Sequence, residues 1–131
     1  MNMVAKTMAL VFGVLLILVG LAGFIPNPVI GSEGSLEIDT IGNAMHLVFG
    51  AILLFNTRKG ESTAAMGLYL VAGFSFLMAA VGYKEVGSYG KAMLFGTVVV
   101  TPALNYFHAG LATVLVISGL MNTSSRQLLR D

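Results

Sequence analysis

The chain has 131 residues, of which 56% are hydrophobic and only 10% are charged, and its formal net charge is +1. Soluble domains carry about 25% charged residues, so this composition excludes an ordinary water-soluble protein and indicates a single domain, residues 1–131, that folds in a lipid bilayer. The low net charge gives no reason to expect a nucleic-acid partner, and the absence of cysteine excludes disulfides, thiolate metal sites and a cysteine nucleophile.

Long intervals without charged residues divide the chain into four apolar segments. About 20 apolar residues, or slightly fewer, are enough for a helix to cross a hydrocarbon core of roughly 30 Å. The fold class is therefore predicted to be an all-α membrane protein with four transmembrane helices. These helices are placed near residues 7–25, 40–56, 63–83 and 102–122.

The distribution of lysine and arginine predicts how the chain is oriented. One side of the membrane would carry five of these residues, namely Lys6, Arg58, Lys59, Arg126 and Arg130. The other side would carry two, Lys84 and Lys91. Because cytoplasmic flanks are enriched in Lys and Arg, both termini are expected in the cytoplasm.

The second predicted helix of each half begins in the same way. Residues 36–46, LEIDTIGNAMH, align without a gap with residues 98–108, VVVTPALNYFH. Each half contains two spans, so both halves enter the membrane in the same direction. We therefore predict a parallel repeat of two helical hairpins, about residues 1–57 and 58–131, related by an approximate two-fold axis along the membrane normal.

The residues just before these helices predict caps and a ribbon. The side-chain oxygens of Asp39 and Thr101 can accept hydrogen bonds from free amides of the first turn, and Pro102 suits a first helical position. Residues 36–38 and 97–100 are β-prone, and we predict that they pair as a short two-stranded ribbon in the outer loops.

Small and flexible apolar residues are frequent within the predicted helices. Glycines there favour close contact between helices in lipid. The methionines show no convergent spacing, so we interpret them as apolar filling rather than as a copper-binding cluster. They include Met8, Met45, Met66, Met78, Met93 and Met121.

The candidate functional residues are an Asn-x-x-His motif in each half, Asn43 with His46 and Asn105 with His108. Residues three apart share a helix face. Each histidine lies seven residues past its predicted cap, which at about 1.5 Å per residue is roughly 10 Å into the membrane. Polar groups at that depth are costly in lipid, so they should face the bundle interior and are functional candidates.

Three roles are open for these four residues. They can form a polar packing cluster that fixes helix register. His46 and His108 can instead be axial ligands of a haem or chlorin, or ligands of a small metal, supported by Asn43 and Asn105. The third role is a proton or ligand pathway that opens outward. Two histidines with no nearby Cys, Asp or Glu do not complete a tetrahedral zinc site.

Three segments together resemble a known family. They are residues 11–26 (VFGVLLILVGLAGFIP), 41–53 (IGNAMHLVFGAIL) and 104–119 (LNYFHAGLATVLVISG). They are similar to the DUF4383 family of small bacterial four-helix membrane proteins, which has a Gly-Phe at the end of the first helix and an Asn-x-x-His helix start in each half. The resemblance covers most of the chain and implies a bacterial cytoplasmic membrane, but no activity. One departure from the family pattern is that this chain has Asn-Tyr-Phe before His108, where an Asp-Asn pair and a Trp are more usual, so an acidic partner for that histidine does not carry over from the resemblance.

No catalytic set accompanies the two motifs in the sequence. We therefore expect a non-enzymatic accessory or scaffold subunit of a membrane complex or homo-oligomer, with lipid, other membrane subunits or further copies of itself as partners. The alternatives are a redox or pigment-binding subunit that uses His46 and His108, and an outward-opening channel or transport element.

Overall fold

The computed structural model describes residues 3–127, with side chains up to residue 121. Within that range the chain is mostly helical, and four helices are long and apolar enough to cross a membrane, as predicted. The helices are α1 (Val4–Ala22), α2 (Thr40–Lys59), α3 (Glu61–Val86) and α4 (Pro102–Gln127). The strands are β1 (Ala92–Leu94) and β2 (Val98–Val100). Of the residues behind the predicted orientation, Arg130 lies outside the described residues, as does the side chain of Arg126.

The observed helices differ from the predicted ones mainly at their ends. Charged residues set the predicted limits, but α1 includes Lys6, and α2 continues through Lys59. At its other end α1 stops at Ala22, three residues before the predicted limit. There the Asn27 side chain donates to the Ala22 carbonyl at 3.0 Å and accepts from the Ile30 amide at 2.8 Å, so it folds the chain back on the helix end.

The connection between α2 and α3 is a single residue, Gly60. Its φ of +122° lies where side chains other than glycine are disfavoured. Arg58 and Lys59 occupy the last turn of α2, and Glu61 begins α3, so the charges on both sides of Gly60 match the helix dipoles. This tight turn sets α2 and α3 side by side in opposite directions.

The helices pack as two close pairs, α1 on α2 and α3 on α4. Gly13 and Gly50 meet where α1 contacts α2, since a Cβ on Gly50 would lie only 2.8 Å from the Gly13 carbonyl oxygen. The shared core is made largely of alanine and leucine, including Leu16, Leu68 and Leu115. Between 22% and 44% of the most apolar stretch of each helix is buried, so most of the apolar surface faces outward.

The predicted ribbon is present, but the prediction of its strand partner was wrong. Residues 98–100 pair antiparallel with residues 92–94, with Met93 opposite Val99. In the first half, Leu36 instead forms an isolated bridge with Ile30. Both pairings are local, and closing a short loop costs less chain entropy than joining segments about 60 residues apart.

Two carboxylates link the halves of the chain at opposite ends of the bundle. At the end that carries the ribbon, Asp39 Oδ2 accepts from the Val99 amide. At the other end the carboxylate of Glu61 accepts from the amides of Ala5 and Lys6, at 2.5 and 3.2 Å. These two amides belong to the first turn of α1, which has no capping side chain of its own. Each half therefore supplies a carboxylate to the backbone of the other.

Candidate functional site

The helices that carry the two motifs begin at the predicted capping residues. Asp39 Oδ1 accepts from the Gly42 amide at 2.7 Å, and Thr101 Oγ1 accepts from the Leu104 amide at 3.3 Å. Both caps are therefore confirmed. Because each cap fixes where its helix starts, it also fixes the depth and direction of the histidine seven residues later.

The structure brings the two histidines together. The ring centroids of His46 and His108 are 6.0 Å apart, and the ring planes are inclined by 21°. The side chains are almost fully buried, at 7% and 8% exposure. Phe107 also contacts both rings, with centroid distances of 6.2 Å to His46 and 5.7 Å to His108. Residues 62 positions apart in sequence thus form one buried pair.

The two imidazoles differ in their hydrogen bonding. His46 Nδ1 lies 2.6 Å from the Gly42 carbonyl oxygen. A carbonyl oxygen can only accept, so Nδ1 carries the proton and Nε2 keeps a free lone pair. Among the described residues His108 has ring contacts and no hydrogen-bond partner. Neither ring nitrogen of His108 is hydrogen-bonded to another described residue.

The two asparagines pack against glycines rather than against the histidines. Asn43 lies on Gly23 and Asn105 lies on Gly82, and a Cβ on either glycine would overlap the amide group. The oxygen of each amide is the nearest atom to that Cβ position, so it lies close to the direction of a glycine Cα–H bond and can accept a weak hydrogen bond from it. The same Gly–Asn contact thus occurs in both helix pairs.

The conventional hydrogen bonding of the asparagines is incomplete. Asn43 Nδ2 donates to the Ile38 carbonyl at 3.5 Å, while its oxygen has no conventional partner among the described residues. Neither the nitrogen nor the oxygen of Asn105 has one there either. Asn105 is 4% exposed, so its polar atoms lie in the apolar interior. The sequence predicted that the asparagines support the histidines. In the structure their amides pack instead against Gly23, which follows α1, and Gly82, which lies in α3.

A small cavity of about 40 Å³ lies beside the histidines and is lined by residues from all four helices. Its walls are mostly apolar. The polar or polarizable side chains that line it are His46, His108, Ser75, Met45 and Met78. Ser75 is 3% exposed, and its hydroxyl has no hydrogen-bond partner among the described residues.

Sequence reasoning missed three of these cavity residues. Ser75 could have been identified from the sequence, because it is a polar residue in the middle of an otherwise apolar helix, where polar groups face the bundle interior. Met45 and Met78 carried none, since their convergence depends on how α2 and α3 are rotated about their axes. Within residues 3–127 no group of three or more His, Cys, Asp or Glu side chains could hold a metal ion, so a metal at this cavity would need other donors.

Comparisons of the chain with models of protein families, with curated proteins and with solved structures found no match. The resemblance to the DUF4383 family stays a prediction.

Proposed function

We propose that the chain is a small multi-pass membrane protein without catalytic activity that acts by assembly, as a scaffold or accessory subunit that associates with further copies of itself. In this proposal its two helical hairpins cross a bacterial cytoplasmic membrane with both termini inside. The caps at Asp39 and Thr101 and the Gly–Asn contacts in both helix pairs support the repeat.

The main support for self-association is a groove on the outside of the α3–α4 pair. It encloses about 450 Å³ and is almost wholly apolar. Its lining comes from two helix faces, with Tyr69, Ala72, Gly73 and Phe76 on α3 and Ala112, Thr113, Val116 and Ile117 on α4. These positions repeat at helical spacing, so the groove runs along the helix axes.

Gly73 distinguishes this groove from the internal helix contacts. A Cβ on Gly13 or Gly50 would collide with the opposing helix, whereas one on Gly73 would meet no atom of the described residues within 4 Å. The small size of Gly73 is therefore not needed for packing within one chain. Small residues on a lipid-facing surface let a second helix approach closely, and this is the main way in which membrane helices associate.

Self-association is tested by dilution in lipid. Chains labelled with donor and acceptor dyes are reconstituted into vesicles over a range of protein-to-lipid ratios, and energy transfer is measured. We expect transfer that rises with the ratio and saturates. Gly73→Leu fills the groove and should weaken association by at least about 10-fold, or roughly 1.4 kcal/mol.

Ala51→Leu is the matched control, because Ala51 is exposed on α2, away from the groove. It should leave the transfer curve unchanged. Transfer at the level of random proximity in the unsubstituted protein would rule out the self-associating scaffold, and equal curves for Gly73→Leu and the unsubstituted protein would rule out this groove as its interface.

The space beside the histidines argues against the haem or chlorin alternative. The cavity of about 40 Å³ is far smaller than the roughly 300–1,000 Å³ of small-molecule pockets. A macrocycle held between His46 and His108 would need a slot that extends well beyond this cavity, so the helices that line it would have to move. A visible absorption spectrum of protein purified from membranes tests this, and a Soret or chlorin band would favour the alternative.

A further inference from the structure

We infer that the cavity between His46 and His108 is a binding site for a single copper(I) ion, with the thioether of Met45 or Met78, or both, completing its coordination. All four side chains line the same cavity, and no carboxylate of the described residues lines it. Imidazole and thioether together form a donor set that selects Cu(I). This inference does not depend on self-association, since every donor comes from one chain.

The histidine geometry fits two imidazoles on one ion. A metal–imidazole bond is roughly 2.0 Å long. Adding the radius of each five-membered ring places the centroids of two imidazoles on one ion about 5–6 Å apart, and the shorter value applies where sulfur ligands bend the N–Cu–N angle. The observed distance is 6.0 Å. The two rings therefore stand at a centroid separation within the range that one shared ion requires.

His46 also has the outer contact that is typical of a metal ligand. Ligating histidines almost always donate their second ring N–H to a carbonyl or carboxylate, which fixes the tautomer and aims the other nitrogen at the metal. His46 Nδ1 donates in this way to Gly42. His108 has no hydrogen bond of its own among the described residues, so its ring can turn toward an ion without breaking one.

The other common metals fit the cavity less well. Zinc sites use Cys, His, Asp or Glu in tetrahedral sets, and calcium and magnesium require several oxygen ligands. The oxygen-bearing side chain at this cavity is Ser75. A single water needs about 10–15 Å³ of such a cavity, so the volume of about 40 Å³ admits one ion with at most a few waters rather than a full hydration shell. In an apolar interior a single charge is also cheaper to bury than a double one. The ion enters and leaves as Cu(I), so no redox step is involved.

Copper binding is tested by anaerobic competition between the purified protein in detergent and the Cu(I) chelator bathocuproine disulfonate. We expect one Cu(I) per chain. The X-ray absorption spectrum of the copper-loaded protein should show nitrogen and sulfur scatterers together. Failure to retain Cu(I) against the chelator at any ratio, or a copper shell without sulfur, would overturn the inference.

Substitutions locate the site. The double variant Met45→Leu/Met78→Leu keeps the side-chain volumes nearly constant and should fold, because Leu and Met exchange with little cost. It should weaken Cu(I) binding by at least about 10-fold, and His46→Gln by at least about 100-fold, since even outer-shell changes cost 10–100-fold. If His46→Gln fails to fold, Cu(I) binding by the double methionine variant alone decides whether the site is correctly assigned.

The matched control is Met66→Leu, on the same helix as Met78 but 68% exposed. It should bind Cu(I) as the unsubstituted protein does. Equal binding by the double methionine variant would overturn the assigned donors, and tighter binding of Zn(II) than of Cu(I) would overturn the choice of metal. None of these results depends on the energy-transfer assay, so this inference and the scaffold proposal can fail separately.

Discussion

Asp39 Oδ2 accepts a hydrogen bond from the backbone amide of Val99, with 2.5 Å between oxygen and nitrogen. The other oxygen of the same carboxylate caps α2 through Gly42. One side chain therefore fixes the start of the helix that carries His46 and also holds the strand that leads into the helix carrying His108. This carboxylate therefore links the two segments that lead into the histidine-bearing helices.

Removal of this carboxylate should destabilise the protein more than loss of an ordinary helix cap. Asp39→Ala loses the cap, worth about 1 kcal/mol, and a charge-assisted hydrogen bond worth about 1.5–3 kcal/mol. We expect a loss of about 2.5–4 kcal/mol in the free energy of unfolding, measured by far-UV circular dichroism during titration with SDS in mixed micelles. Asp39→Asn can keep the cap with its amide oxygen, so its free energy of unfolding should fall between those of the unsubstituted protein and Asp39→Ala. Glu33→Ala, in the same loop and exposed, serves as the control, and a loss there equal to that of Asp39→Ala would contradict the assignment.

Glu61 should protect the first turn of α1. Glu61→Gln removes the charge that accepts from the amides of Ala5 and Lys6. A charge-assisted hydrogen bond is worth about 1.5 kcal/mol or more, so those amides should exchange with solvent at least about 10-fold faster. Hydrogen–deuterium exchange read by mass spectrometry measures this. Glu85→Gln, exposed at the other end of α3, should leave the exchange of both amides unchanged; unaltered exchange in Glu61→Gln would show that the contact does not order α1.

The Gly–Asn contacts should reject even one methyl group. Gly23→Ala and Gly82→Ala each place a Cβ into an asparagine amide, and overpacking of this kind costs about 1–3 kcal/mol. Gly110→Ala is the control, because a Cβ there meets open space and should leave stability equal or higher by up to about 1 kcal/mol. Adding Asn43→Ala to Gly23→Ala makes room for the methyl group, so the two changes should be non-additive. Additive losses would show that the two residues do not share this contact.

The ribbon turn contains a residue whose backbone conformation disfavours it. Phe95 has a φ of +53° and is 96% exposed, so its ring adds almost nothing to packing within the described chain. Asparagine tolerates this conformation much better than phenylalanine. Phe95→Asn should therefore raise stability by about 0.5–1 kcal/mol in the same SDS titration. A decrease in stability would mean that lipid or another chain contacts the phenylalanine ring. Phe95→Asn would then also partition into vesicles differently from the unsubstituted protein.

The sequence predicted the parts of this fold that depend on neighbouring residues. Charge-free intervals identified the four long apolar helices, and the chemistry of Asp39 and Thr101 identified two helix starts to the residue. The pairing of residues 98–100 could not be predicted, because β-prone character says that a strand forms but not with which partner.

The cross-chain contacts lay beyond sequence reasoning for a different reason. Glu61 reads locally as a first-turn acid of α3, and nothing near it in sequence points to the amides of α1 more than 50 residues earlier. Met45 and Met78 reach one cavity only because two helices pack at a particular rotation. The two histidines were identified as candidates because polar side chains at membrane depth are rare, and that signal does not depend on packing.

Gly60 limits how the two halves can move. A one-residue connection holds the ends of α2 and α3 together, so a rotation of one half against the other would pivot near that glycine. The cap of α2 and the ribbon lie at the far end of the bundle, where such a rotation produces the largest displacement. Loss of the hydrogen bond between Asp39 and Val99 would therefore let His46 and His108 separate. The hydrogen bond between Glu61 and the first turn of α1, close to Gly60, would be kept.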